Sequence, residues 1–87
     1  MPDHEAKTIT LDQVDTDQWF TVVDLVRSDR ADDQDLLLRL AEIGFVPGER
    51  VRIVAMGMFG REPLAVRLGH TTFALRRHEA ALIQVCG

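Results

Sequence analysis

Five short stretches of the chain have the composition or the alternation of apolar and polar residues that is typical of β-strands. Residues 19–23 are rich in aromatic and β-branched side chains, and residues 50–55 alternate with a period of two. In the second stretch Val51, Ile53 and Ala55 point to one face, and Arg50 and Arg52 point to the other. The remaining three predicted strands are residues 63–68, 71–75 and 82–85.

One longer stretch has helical spacing instead. Leu37, Leu40 and Ile43 can share one buried face, which predicts a helix from residue 32 or 33 to residue 43. Gly44 follows where a helix end favours a residue that can adopt positive φ. A proline–glycine pair, residues 47–48, then predicts a tight turn before the next strand.

Four aspartates occupy residues 29–35, just before and within the start of this helix. Oxygen ligands of this kind suit a divalent cation, but the spacing does not match a calcium loop. Aspartates at the N-cap and in the first turn satisfy free N–H groups and interact favourably with the helix dipole. We therefore favour helix capping over metal binding.

The order of these elements predicts a mainly β fold with one substantial helix. Residues 69–70 predict a two-residue hairpin turn, and residues 11–14 and 76–81 predict single helical turns. Residues 8–11 could be a short extended segment that leads into the first of these turns. The expected architecture is a small, strongly bent β-sheet or barrel with the helix packed on it.

The glycine-containing segment 56–62 carries three large apolar side chains, those of Met56, Met58 and Phe59. We expect Met58 and Phe59 to fold back over an open end of the core. Alternatively, together with Arg61, they could form an exposed patch that docks a partner, since methionine suits adaptable apolar surfaces. This segment is the best candidate binding site that the residues alone provide.

The length and composition of the chain indicate a single small domain. The 87 residues are 46% apolar, and we expect residues 1–8 to be a flexible tail and residues 9–87 to be the domain. No apolar run approaches the ~20 residues of a membrane span, and the acidic N-terminus does not resemble a secretory signal. One cysteine excludes an internal disulfide. We expect a soluble, cytoplasmic protein.

The charge distribution leaves a nucleic-acid-binding alternative open. Residues 1–35 contain ten acidic and three basic side chains, whereas residues 36–87 contain four acidic and seven basic ones. A basic groove with aromatic side chains could bind single strands. Its candidate members are Arg50, Arg52, Arg67, Arg76 and Arg77. An evenly solvated surface is the favoured interpretation.

No catalytic pattern is present, so we predict that the protein is not an enzyme. Ser28 is the only serine and precedes the acidic helix start, and Cys86 is the penultimate residue. Neither lies in a nucleophile motif. His70 and His78 are not part of a close ligand pair, and we expect them to be surface residues. A divalent-metal-sensing domain remains an alternative that would depend on these histidines.

Several motifs, taken in order, resemble the FeoA domain, the small component of bacterial ferrous iron transport systems. The resemblance covers about residues 11–85. Its motifs are Leu40, Ile43, Gly44, Phe45, Val46, Pro47, Gly48, Val51 and Ile53, then residues 63–66, then Ala74, Leu75, Arg76, Glu79, Ala80, Ile83 and Val85.

The resemblance implies an SH3-like β-barrel with an inserted helix and no cofactor. It also implies an adaptor that regulates a FeoB-type membrane permease by contacting its cytosolic region, so that any membrane association would be through this partner. Similar domains end some metal-dependent repressors, but the stand-alone form fits this chain better. The residues that match the family look structural, namely Gly44, Pro47, Gly48, Pro63, Leu75 and Ala80.

We place the expected contact surfaces at Met56, Met58, Phe59 and Arg61 and on the helix side near Arg39 and Glu42. Exposed strand edges could also pair between copies into a homo-oligomer. The chain departs from the family at residues 15–17, where a Pro-Gly-type turn is common, and before Gly60, where small residues are common.

Overall fold

The computed structural model describes residues 8–58 and 61–87, which form one antiparallel sheet with two helices. Neighbouring strands follow the order β1-β6-β2-β3-β4-β5. The mainly β class with one substantial helix is confirmed. The elements are β1 (Ile9–Thr10), a 3₁₀ turn (Leu11–Gln13), β2 (Trp19–Leu25), α1 (Ala31–Ile43), β3 (Arg50–Met56), β4 (Leu64–Leu68), β5 (Thr71–Leu75), α2 (Arg77–Ala80) and β6 (Ile83–Cys86).

The sheet has one strand more than the sequence predicted. Residues Ile9 and Thr10 pair with Val85 and Gln84 of β6, so the extended segment before the 3₁₀ turn is an edge strand. β5 is the other edge, and within the described residues these two edges do not pair to close a barrel.

Inward-facing side chains of the strands form one apolar core. Ile53 of β3, Val66 of β4 and Val85 of β6 are completely buried, and Leu11 of the 3₁₀ turn and Leu40 of α1 add to the same cluster. Alternation along the strands therefore directs one set of side chains into the core and the intervening set to the other face of the sheet. The other buried members are Val14, Phe20, Val22, Phe45, Val51, Leu64, Leu68, Leu75, Ala80, Leu82 and Ile83.

A β-bulge in β3 reverses the orientation that was predicted for Ala55. The register shifts between Ile53 and Ala55, so Ala55 is exposed rather than aligned with Val51 and Ile53. The same shift places Met56 opposite the buried Leu64. Because an inserted residue reverses the alternation that follows it, Met56 turns towards the core.

The corner between α1 and β3 depends on two glycines with positive φ. Gly44 ends the helix at φ 125°, and its N–H bonds to the carbonyls of Leu40 and Ala41 at 3.2 and 3.1 Å. Gly48, at φ 95°, follows Pro47 in a type II turn closed by Glu49 N–H to the Val46 carbonyl at 3.1 Å.

The start of α1 differs in detail from the expected aspartate cap. The N-cap residue is Arg30, which makes no capping side-chain bond. Asp32 and Asp33 lie in the first turn as predicted, and the Ser28 hydroxyl donates to Asp33 Oδ2 at 2.8 Å. Asp33 is therefore held by the segment before the helix, and the acidic run stabilises the helix start through its first turn.

Among the described residues, no helix is both long and apolar enough to cross a membrane.

Candidate partner-binding site

The candidate segment begins where β3 ends and returns to the sheet through a close backbone contact. The Gly57 N–H donates to the Pro63 carbonyl at 2.9 Å. A Cβ atom at Gly57 would lie 1.8 Å from the Glu62 carbonyl oxygen, so only glycine fits between these backbones. Met58 and Arg61 lie within the segment that this backbone contact closes.

The apolar side chains of this segment do not behave as one group. Met58 is 89% exposed, so the expectation that it folds back over the core is wrong. Met56 is partly buried and packs against the core, and it belongs to β3 rather than to a loop. Phe59 and Gly60 lie outside the described residues. The exposed-patch alternative therefore depends, within the structure, on Met58 and Arg61.

Met56, Met58 and Arg61 line one cleft of about 680 Å³. Residues 12–16, which follow β1, and Arg77 of α2 also line this cleft. We refer to this space, with its lining residues 12–16, 56–58, 61 and 77, as the loop cleft. Its walls combine thioethers with carboxylates and guanidinium groups, a mixture suited to holding a peptide by apolar and ionic contacts.

Arg77 ties the walls of the loop cleft together. Its Nη2 donates to the Asp12 carbonyl oxygen at 2.8 Å, and its backbone N–H donates to Glu62 Oε2 at 2.7 Å. Its Nη1 is buried and has no acceptor among the described residues. The sequence indicated Arg77 only as a basic residue, because no local pattern relates it to Asp12, 65 positions away.

We expect Arg77→Met to lower the free energy of unfolding by about 1 kcal/mol, because it removes the bond to the Asp12 carbonyl. The loss is limited because the substitution also removes the unpartnered Nη1. Arg76→Met is the matched control, since the Arg76 side chain is exposed, and its effect should stay within about 0.5 kcal/mol. Urea denaturation measures both variants, and equal effects would contradict the bridging role of Arg77.

The helix residues that we predicted as a second contact surface lie elsewhere. Arg39 and Glu42 are exposed on α1, and neither lines the loop cleft. The structure therefore separates the predicted partner surface into the cleft and one side of the helix. The residues of the family motif occupy backbone and core positions: Gly44 and Gly48 in the corner, Pro47 between them, Pro63 before β4, Leu75 at the end of β5 and Ala80 in α2.

The residues of each of the two alternative functions do not all lie in one place. Arg50, Arg52 and Arg67 lie on adjacent strands, whereas Arg76 and Arg77 lie at α2 beyond the end of β5. His70 in the β4–β5 turn and His78 on α2 are exposed. Within the described parts of the chain, no three histidine, cysteine or carboxylate side chains are placed to hold a metal ion.

Comparison with known proteins identifies the family. A model described as FeoA domain matches residues 9–86. The chain belongs to the FeoA domain family. A search of curated proteins found no match.

Solved structures support the same assignment. The zinc-complexed crystal structure of Stenotrophomonas maltophilia FeoA, described as a procaryotic SH3 domain protein, is 42% identical with a TM-score of 0.77, and the match covers 88% of each chain. The FeoA-like protein of Clostridium acetobutylicum is 26% identical with a TM-score of 0.78 over 93% of this chain and 87% of its own. The SH3-like expectation is thereby confirmed.

A manganese-dependent transcriptional repressor shares the fold with a TM-score of 0.79. It is 21% identical over 97% of this chain, which corresponds to 44% of the repressor. At this identity the likeness concerns the fold alone.

Proposed function

We propose that this FeoA-family protein is a cytoplasmic accessory factor for ferrous iron transport that acts by binding the cytosolic region of a FeoB-type permease. The observation that carries the proposal is the 42% identity over 88% of the chain to Stenotrophomonas maltophilia FeoA. That protein has been suggested to act as a bacterial ferrous iron transport activating factor. The motifs shared with the family support extending this role to the present chain.

The chemistry of the surface supports binding rather than catalysis. Met58 presents a long apolar side chain to solvent, and Arg61 and residues 12–16 add charged groups to the lining of the loop cleft. A flexible thioether can adapt to a partner while charged neighbours fix its orientation. We assign the loop cleft as the main contact surface, and the side of α1 near Arg39 and Glu42 as a second one.

Met58→Ser is expected to weaken binding to the permease by at least about tenfold, because burying a methionine side chain contributes roughly 1.5–3 kcal/mol. The free energy of unfolding should change by less than about 0.5 kcal/mol, since Met58 makes little contact within its own chain. Isothermal titration calorimetry with the full-length permease in lipid nanodiscs measures the affinity.

Val46→Ser is the matched control, because Val46 is an apolar side chain with 38% exposure that lies in the turn after α1, away from the loop cleft. It should bind as the natural sequence does. Equal affinity of the Met58→Ser variant and the natural protein would remove the loop cleft from the interface. Equal weakening by both substitutions would show that the contact is not localised there.

A further inference from the structure

The outer face of the sheet carries three arginine side chains beside the only tryptophan of the chain. Trp19 of β2 lies opposite Arg52 of β3, and Arg52 lies opposite Arg67 of β4. Arg50 is two residues before Arg52 and so shares its face. We refer to Trp19, Arg50, Arg52 and Arg67 as the Trp19 patch. It shares no residue with the loop cleft.

The tryptophan ring contacts the guanidinium groups of two of these arginines. The guanidinium carbons of Arg50 and Arg52 lie 5.8 and 5.6 Å from the centroid of the Trp19 ring, within the range of cation–π attraction. Trp19 is 40% exposed, and a depression of about 220 Å³ lined by Trp19 and Arg50 opens beside it. Contact with the ring restricts two long side chains in advance, which lowers the entropy cost of binding an anion there.

Within residues 8–58 and 61–87, only one of these three cations is paired with a carboxylate. Among the described residues, the patch forms one salt bridge, from Arg52 Nη2 to Asp17 Oδ1 at 3.4 Å. Arg67 Nε donates to the Gly69 carbonyl at 3.3 Å. Arg50 has no carboxylate within 4.0 Å in the described parts of the chain. A chain of net charge −4 thus carries three guanidinium groups on one face, and among the residues that the structure describes one largely exposed carboxylate forms a salt bridge with them.

We propose that the Trp19 patch binds a short acidic peptide segment of a partner protein. Guanidinium groups match carboxylates in charge and in hydrogen-bond geometry, and each can donate two parallel hydrogen bonds to one carboxylate. This inference goes beyond the proposed function, because it assigns a second surface and the chemistry of what it binds. It does not require the partner to be the permease.

Two other polyanions fit the patch less well. Nucleic acid would stack bases on aromatic faces, but the Trp19 ring is already approached by two guanidinium groups. The other aromatic side chains that the structure describes, Phe20, Phe45 and Phe73, belong to the core or pack against it. An anionic bilayer would face not only the patch but also a chain of negative net charge, and stable membrane attachment takes more cationic side chains than these three.

The fluorescence of Trp19 reports directly on the patch, since it is the only tryptophan. We expect acetyl-hexaglutamate-amide to cause a saturable change in emission at low ionic strength, which weakens as salt is added. Acetyl-hexaglutamine-amide is the uncharged control peptide. The double substitution Arg50→Gln and Arg52→Gln should weaken binding about tenfold. Arg27→Gln, which removes an exposed arginine between β2 and α1, should leave the affinity unchanged.

Circular dichroism and thermal unfolding establish that the double variant is folded, and NMR shift mapping on backbone amides provides a second readout for it. Absence of saturable hexaglutamate binding below about 1 mM overturns the proposal, and so does equal affinity of the double variant. Tighter binding of decathymidylate or of phosphatidylglycerol vesicles, lost in the same variant, assigns the patch to nucleic acid or membrane instead. Because no permease is used, these outcomes are independent of the proposed function.

Discussion

Phe45→Ala is expected to destabilise the protein by about 3–5 kcal/mol, because it deletes a large ring from the centre of the core. Phe45 follows the end of α1 and is completely buried. Its ring meets the Phe73 ring edge-to-face, with centroids 6.0 Å apart and planes at 61°. Truncation removes this aromatic pair and leaves a cavity under the corner between α1 and β3.

A domain of 87 residues has a total stability of roughly 4–13 kcal/mol, so a loss of this size should remove a substantial fraction of that stability. Calorimetric unfolding and urea titration measure the loss. Val46→Ala, at the next position, is 38% exposed in the natural protein and should cost less than about 1 kcal/mol. A loss below about 2 kcal/mol for Phe45→Ala would mean that the core closes around the missing ring.

Gly57→Ala should cost at least about 3 kcal/mol, because the added methyl group cannot be accommodated without moving the main chain. Its Cβ would lie 1.8 Å from the Glu62 oxygen, 2.3 Å from the Glu62 carbonyl carbon and 2.9 Å from the Pro63 nitrogen. These are backbone atoms, and Gly57 is also hydrogen-bonded to Pro63. The midpoint of thermal unfolding should fall by more than about 10 °C.

Gly48→Ala is the control for Gly57→Ala, because it measures the cost of an unfavourable backbone conformation without steric overlap. Gly48 has φ 95° but nothing lies within 4 Å of a Cβ built there, so this substitution carries conformational strain alone and should cost about 1 kcal/mol. If Gly57→Ala destabilised the protein no more than Gly48→Ala, the close approach of residues 57 and 62 would not exist in solution. The base of the loop cleft would then be wrongly described.

Local chemistry was sufficient to predict the corner between α1 and β3. A glycine at a helix end and a Pro-Gly turn each require a particular backbone conformation, and Gly44 and Gly48 adopt the expected positive φ values. The β4–β5 hairpin was predictable for the same reason, since Gly69 at φ 62° begins a two-residue turn. These features depend on neighbouring residues only.

Features that depend on a distant strand were missed. Ala55, which was expected on the core face, is exposed because a bulge forms in β3 against β4, and the period of the sequence does not record an inserted residue. Ile9 becomes part of a strand only by pairing with Val85. The candidate site shows the same limit: Met58 was identified from its unusual place beside glycines, whereas Arg77 joins the site through a contact with Asp12 across the fold.

The most direct test of the proposed role is calorimetric titration of this protein into its host's FeoB-type permease in lipid nanodiscs, once with GDP and once with a GTP analogue bound. We predict saturable binding in at least one nucleotide state, weakened by Met58→Ser and unchanged by Val46→Ser. A difference between the two states would identify a regulator that responds to the nucleotide cycle. Absence of saturable binding in both states would contradict the proposed role, since the fold would then be shared with the family without this function.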